Sequence, residues 1–201
     1  MTVLRRKSWH DLRRRPARSA FTVATIAAAV AGLSLFAMPT LMDRAMADRI
    51  AEDRLHDVQL YTGDVVLDET DLRSLADVAG VAAVGARTVY PSRLFVGDRR
   101  EDVLVVGVPS CDDQPVNVVG IDSGTAPTAG EALTDPQNAR SGRFSGDVGT
   151  RVRVEGVAGA FSEVRIAGRG DTMVFSQVAV EERAVLYAPQ PTVNEMAGAR
   201  G

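Results

Sequence analysis

The sequence predicts an α+β protein in two parts: an N-terminal transmembrane helix with a stalk, then a folded α/β sandwich domain. Three observations lead there. Charge changes abruptly near residue 20, an uncharged apolar run follows at once, and strand-like and helix-like patterns alternate downstream. Of 201 residues, 45% are apolar and 24% charged, a balance suited to folding around a core.

The net charge of −3 is unevenly spread. Residues 1–19 carry Arg5, Arg6, Lys7, Arg13, Arg14, Arg15 and Arg18 against Asp11, which makes a leader of +6 on a remainder of −9. Basic arms can serve nucleic acid, but these cations stop where the uncharged run begins, the pattern of an arm held at a membrane. Membrane lipid, and no nucleic acid, is therefore the expected partner. Val3, Leu4, Trp9 and Leu12 lie among the cations, as in a short helix resting in the headgroup layer, although a disordered basic tail would have the same composition. Trp9, Arg13, Arg14, Arg15 and Arg18 are the candidate membrane-interface residues.

Ala20 to Met42 is 23 residues without a charge. At ~1.5 Å of rise per residue a helix of that length reaches about 35 Å, against a hydrocarbon core of ~30 Å. Residues 20–42 thus read as the spanning helix. The cationic leader, residues 1–19, sets the N-terminus in the cytoplasm, and everything after the helix becomes extracytoplasmic. A cleaved secretory signal is the competing reading, since Ala45-Met46-Ala47 resembles a cleavage site. The apolar run exceeds the ~7–15 residues usual in such signals, and the basic leader is also long for one.

Ala24, Ala28 and Gly32 follow one another at four-residue spacing on one helix face, the small-residue arrangement that lets helices approach in lipid. They are the candidate helix-packing residues. Pro39 deprives the Leu35 carbonyl of its helical donor, so a kink is expected. Residues 43–55 continue as a juxtamembrane stalk, with Arg44–Asp48 and Arg49–Asp53 at i,i+4 contributing ~0.2–0.5 kcal/mol each. Helix and stalk would form one rod from about Ala20 to Arg54.

Residues 56–201 form the extracytoplasmic domain. His56 to Thr62 reads as a strand with Val58 and Leu60 on one face. Asp68 is a good N-cap for a short helix with Leu72, Leu75, Ala76 and Ala79 as its apolar stripe and Gly80 as its terminator. Val81 to Tyr90 reads as a strand, and Arg93–Val96 with Val103–Val108 as a hairpin around Gly97-Asp98-Arg99-Arg100. The order strand, helix, strand, strand suggests a sandwich with an open sheet. From Ser110 to Gly146, loops and a short helix near Asp135–Arg140 are expected. Strands resume at Arg151–Glu155, Glu163–Gly168, Thr172–Val178 and Val185–Tyr187.

Chemistry is sparse. Lys7 is the single lysine and follows Arg5-Arg6 rather than a glycine loop, so no phosphate-binding loop exists. His10 and His56 fall on opposite sides of the expected membrane, and no nucleophile elbow is present, since Gly120-Ile-Asp-Ser123-Gly124 has the wrong spacing. Cys111 is the sole cysteine, read as a small buried side chain. Asp112-Asp113 and the group Asp64, Asp68, Glu69 and Asp71 read as turn and cap residues. No enzyme, metal or cofactor is expected in this chain.

The stretch Ser8-Trp9-His10-Asp11-Leu12-Arg13-Arg14-Arg15-Pro16-Ala17-Arg18-Ser19-Ala20-Phe21-Thr22 resembles the opening of the FtsX-like and MacB-like ABC transporter permeases. Val78-Ala79-Gly80-Val81, Gly130-Glu131-Ala132-Leu133 and Gly146-Asp147-Val148-Gly149-Thr150-Arg151-Val152 follow in order as looser echoes of the MacB periplasmic-core domain of that family. The resemblance implies a non-catalytic permease component that couples a cytoplasmic ABC ATPase to an external domain by mechanotransmission. It places ATP on the partner ATPase, and further permease helices or a second permease chain beside the first helix. Such permeases have four membrane helices, and the residues through Gly201 carry one. The domain therefore reads as incomplete, and the chain as a fragment, a truncated product or a stand-alone relative. Two other readings remain open: a single-pass anchored binding or sensor module, and an exported enzyme released after Ala47.

Overall fold

The computed structural model describes residues 16–63, 65, 67–110, 114–140, 142, 144, 146–176 and 183–199. The expected leader helix Val3–Arg15, Asp64, Cys111 and Asp112-Asp113 lie outside them. Helix α1 spans Pro16–Glu52, 37 residues, and its assignment runs unbroken through Pro39. Among the described residues nothing covers its apolar side chains: Phe21 is 75% exposed, Leu33 72% and Phe36 86%. Two of its hydroxyls turn inward on the helix itself. Thr25 Oγ1 donates to the Phe21 carbonyl at 2.9 Å and Ser34 Oγ to Val30 at 2.8 Å, the way such residues satisfy themselves where no water is available.

The chain divides into two compact units, one ending at Asp48 and the other running from Arg49. In the second, helix α2 (Glu69–Ala76) begins on a capping box: Asp68 accepts from the Thr70 and Asp71 amides, and the Asp71 carboxylate accepts from the Asp68 amide. The helix closes at Asp77, earlier than the expected Gly80, which adopts φ +91° just beyond. Leu72 and Leu75 are half-buried.

Seven strands follow: β1 Val89–Val96, β2 Arg99–Val108, β3 Gly120–Gly124, β4 Glu131–Thr134, β5 Arg151–Glu155, β6 Phe161–Asp171 and β7 Ala184–Pro189. The helices among them are α3 Pro136–Arg140, α4 Met173–Ser176 and α5 Gln190–Ala197. The strand order is β3-β6-β4-β7-β2-β1-β5, and β5 pairs again with β6. This second pairing closes six strands into a circuit and leaves β3 outside it, so the expected open sheet is absent. Closure is possible because β6 is long: its first half pairs with β5, and its second half with β4 on one side and β3 on the other. Gly168 and Gly170 make the β3 contact feasible, since a Cβ at either would strike the carbonyl oxygens of Ser123 and Gly120.

Strand β7 and β2 from Val103 onward pair in parallel and are buried on both faces, which explains the nearly continuous apolar run in each. Alternate residues serve two cores. Val103, Val105, Leu186 and Ala188 join Ala132, Val154, Val164 and Ile166 in one, together with Val193 and Met196 of α5. Leu104, Val106, Val108, Val185 and Tyr187 join Val119 and Leu133 in the other. Inside the second, the Tyr187 hydroxyl donates to Asp135 Oδ2 at 2.9 Å. Burial raises the Asp135 pKa despite the donors from Gln137 and Tyr187, and burial with the adjacent Asp135 pushes the Tyr187 phenol well up.

Several elements differ from expectation. His56–Thr62 has a strand's alternation yet pairs with no strand among the described residues, and Val58 is 74% and Leu60 71% exposed. Val81–Thr88 has no regular secondary structure, and the ladder with β2 starts at Val89, although Gly107 N–H still donates to the Thr88 carbonyl at 2.8 Å. Met173–Ser176 forms a helical turn instead of a strand, and residues 177–178 of the expected Thr172–Val178 strand lie outside the described residues. Helix α5 was not expected, although Pro191 near its start and Gly198 at its left-handed cap are ordinary signals.

The parallel β4–β6 step is pinned by Glu131, which faces Arg165 in register. Its carboxylate accepts from the Thr128 amide at 3.0 Å and hydroxyl at 2.9 Å, and pairs with Arg165. The Thr128 donors, then Arg165, lower its pKa. A carboxylate with a depressed folded-state pKa adds stability above its unfolded value of about 4.3 and loses it as pH falls through the folded value. Glu131→Gln is therefore expected to lower stability near neutral pH, with the deficit shrinking as the solution is acidified; denaturant titrations of both proteins across pH check this.

Candidate functional site

Arg49, the first residue of the second unit, sits in the last turn of α1. The helix ends there in a reciprocal pair of backbone bonds, Leu55 N–H to the Ile50 carbonyl at 3.2 Å and Arg54 N–H to Ala51 at 3.3 Å. Such a terminus needs a left-handed residue, ordinarily glycine. Here Arg54 fills it at φ 48°. Its side chain supplies the reason, donating from Nη1 to the Gln114 carbonyl at 3.0 Å.

The chain leaving the helix lies along residues 114–119. Val118 N–H donates to the Asp53 carbonyl at 2.7 Å and Asn117 N–H to Arg54 at 2.9 Å. Asn117 is itself left-handed, at φ 55°. That conformation directs its Oδ1 to the His56 amide at 3.1 Å and to His56 Nδ1 at 2.8 Å, so this ring nitrogen carries the proton. Arg87 braces the loop from the other side, donating to Gln114 Oε1 at 2.8 Å, the Val116 carbonyl at 3.2 Å and the Asn117 carbonyl.

The Asp53 side chain is 2% exposed overall and carries the densest part of the network. Oδ2 accepts from the Met173 amide at 2.8 Å, and Oδ1 lies 3.3 Å from Arg49 Nε. The same guanidinium reaches Asp171 Oδ1 from Nη2 at 2.6 Å. One cation thus joins a buried carboxylate at the helix end to a half-buried one at the end of β6. A buried charge without its partner is strongly unfavourable, so Arg49 and Asp53 hold each other in place. Between them, Thr172 is fully buried and its hydroxyl has no hydrogen-bond partner among the described residues.

The sequence-derived site residues are distributed differently. Ala24 and Ala28 are exposed and Gly32 is half-buried on α1; a Cβ at Gly32 would meet no atom within 4 Å. Arg18 lies within α1, whereas Trp9, Arg13, Arg14 and Arg15 lie outside the described residues. Of the two expected stalk pairs, Arg49–Asp53 forms, and its arginine faces the folded unit rather than solvent alone. Arg54, Arg87, Asn117 and Asp171 carry no sequence motif.

No other arrangement rivals this network. Among the described residues no three His, Cys, Asp or Glu side chains gather in a metal-binding group. An open cleft of about 360 Å³ runs past Tyr90, Ser92, Asp102 and Arg183. Its Arg93–Glu155 pair, 3.3 Å apart, joins β1 to β5.

These elements define an α+β domain whose chain enters from a long apolar helix. The fold is similar to the extracellular domain of the noncanonic ABC-type transporter YknZ from Gram-positive bacteria, at 19% identity and a TM-score of 0.44, covering 70% of this chain and 72% of that one. It is also similar to the periplasmic region of MacB from Actinobacillus actinomycetemcomitans, at 18% identity and a TM-score of 0.39, covering 63% of this chain and 56% of that one. No protein-family model and no curated protein matches the sequence.

The left-handed Arg54 generates a direct test. An L-residue there costs roughly 1–2 kcal/mol relative to glycine. Arg54→Ala keeps that strain and loses the Gln114 bond, whereas Arg54→Gly loses the bond and sheds the strain. Denaturation of the full chain in detergent is expected to show the alanine variant less stable than the glycine variant by about 1 kcal/mol; equal stabilities would contradict the assignment.

Proposed function

We propose that this chain is a non-catalytic permease component of an ABC transporter. In this reading α1 crosses the cytoplasmic membrane through residues 20–42, residues 1–19 lie in the cytoplasm, 43–55 form the stalk and 56–201 the extracytoplasmic domain. A partner ABC ATPase binds ATP on the cytoplasmic side and drives the external domain by mechanotransmission. The carrying observation is α1 itself: an uncharged segment with exposed apolar side chains, preceded by the permease-like leader and followed by a folded domain. An apolar face left uncovered by protein calls for lipid or a partner helix.

Trp9, Arg13, Arg14, Arg15 and Arg18 would hold the leader against the headgroups, and Ala24, Ala28 and Gly32 would receive a further permease helix. A single-pass anchored binding or sensor module accounts equally for the one helix long and apolar enough to span among the described residues.

Purification of the tagged full-length chain from membranes of its native host separates the two readings. The expected result is an ABC ATPase in comparable amount, retained through detergent washing. Recovery of the membrane-bound chain with no ATPase would favour the sensor module and overturn the permease assignment.

A further inference from the structure

We infer that the Arg49–Asp171 contact is the point at which movement of α1 enters the folded domain, and that its first targets are the end of β6 and the β3 strand paired to it. This deepens the permease reading and rests on α1 being the moving part.

Three observations support a directed connection. First, the helix end from Arg49 onward is held within the folded unit: Arg54 and Asn117 are both left-handed and are tied to each other through the Asn117 N–H to Arg54 carbonyl bond, 2.9 Å long. Non-glycine residues persist in that conformation only where their surroundings over-determine it. Second, the carboxylates that Arg49 touches have different roles. Asp53 is on its own helix, and Asp171 is 122 residues downstream, where β6 gives way to α4. Asp53 also holds the Met173 amide, so both contacts converge on residues 171–173. Third, the same end of β6 holds β3, through the pairs Gly120–Asp171 and Ile121–Gly170. β3 lies outside the closed circuit, with residues 121–124 exposed, and can shift without breaking the β2–β7 core. Arg49 is thus a positioning residue. Glu52, 3.7 Å away and 73% exposed, adds little to this attraction.

The test uses the full-length chain in lipid nanodiscs made from a short-chain or a long-chain phosphatidylcholine, because a change in hydrocarbon thickness tilts a spanning helix. Amide hydrogen exchange reads local opening. Wild-type protein is expected to exchange differently in the two lipids at residues 120–124 and 168–173, and equally in β2 and β7. Arg49→Gln and Asp171→Asn should each abolish the lipid contrast. Each should also raise exchange at 168–173 about tenfold, the loss of one charge-assisted bond, with the double variant no faster than either single one. Equal exchange in both lipids for wild type, or a contrast that survives in the variants, would overturn the inference while leaving the permease reading intact. A chain that never enters the discs would overturn the membrane reading and this inference together.

Discussion

The structure depends on where one helix places its apolar surface. From Ala20 to Met42 no charged residue interrupts α1, and within the described residues no protein covers it. In water, burying such side chains gains about 25 cal/mol for each Å² of apolar area removed from solvent, and α1 buries none of its apolar window. In the proposed reading lipid supplies that burial without a partner domain. The inward hydroxyl bonds of Thr25 and Ser34 suit an apolar solvent as well, since each satisfies its hydroxyl on the helix itself. In the same reading the leader's six net positive charges set which side remains in the cytoplasm.

The folded unit meets a different requirement, because its entry point is held by charge and backbone geometry instead of apolar packing. Asp53 is buried and is tolerable only with Arg49 beside it and the Met173 amide bonded to it. Arg54 and Asn117 accept unfavourable backbone conformations, and each is compensated by bonds that its side chain makes across the joint. The twofold core behind them, with alternate residues of β2 and β7 serving opposite faces, gives the joint a rigid body to act upon.

Legibility in the sequence followed the range of the interaction. The long apolar helix, the Asp68 N-cap and the β1–β2 hairpin are local, and short-range chemistry announced each of them. Closure of the strands into a circuit depends on β5 meeting β6 and β1 at once, which no local pattern encodes. His56–Thr62 shows the reverse failure: its alternation is strand-like, but a strand requires an edge to pair with. The candidate joint was half visible. Arg49–Asp53 is an i,i+4 pair, whereas its extension to Asp171 joins residues far apart in sequence. Arg54 was overlooked because arginine is a poor signal for a left-handed turn.

The account stands or falls on the direction in which the chain crosses the membrane. Single cysteines placed at Ser8 and at exposed Asp122 in a Cys111→Ser background, treated with a membrane-impermeant maleimide on cells stripped of their walls, read that direction at both ends. The expected result is labelling of the Asp122→Cys protein on intact cells and of the Ser8→Cys protein only after permeabilisation. Equal labelling at the two positions, or recovery of uncleaved chain in the soluble fraction, would contradict it.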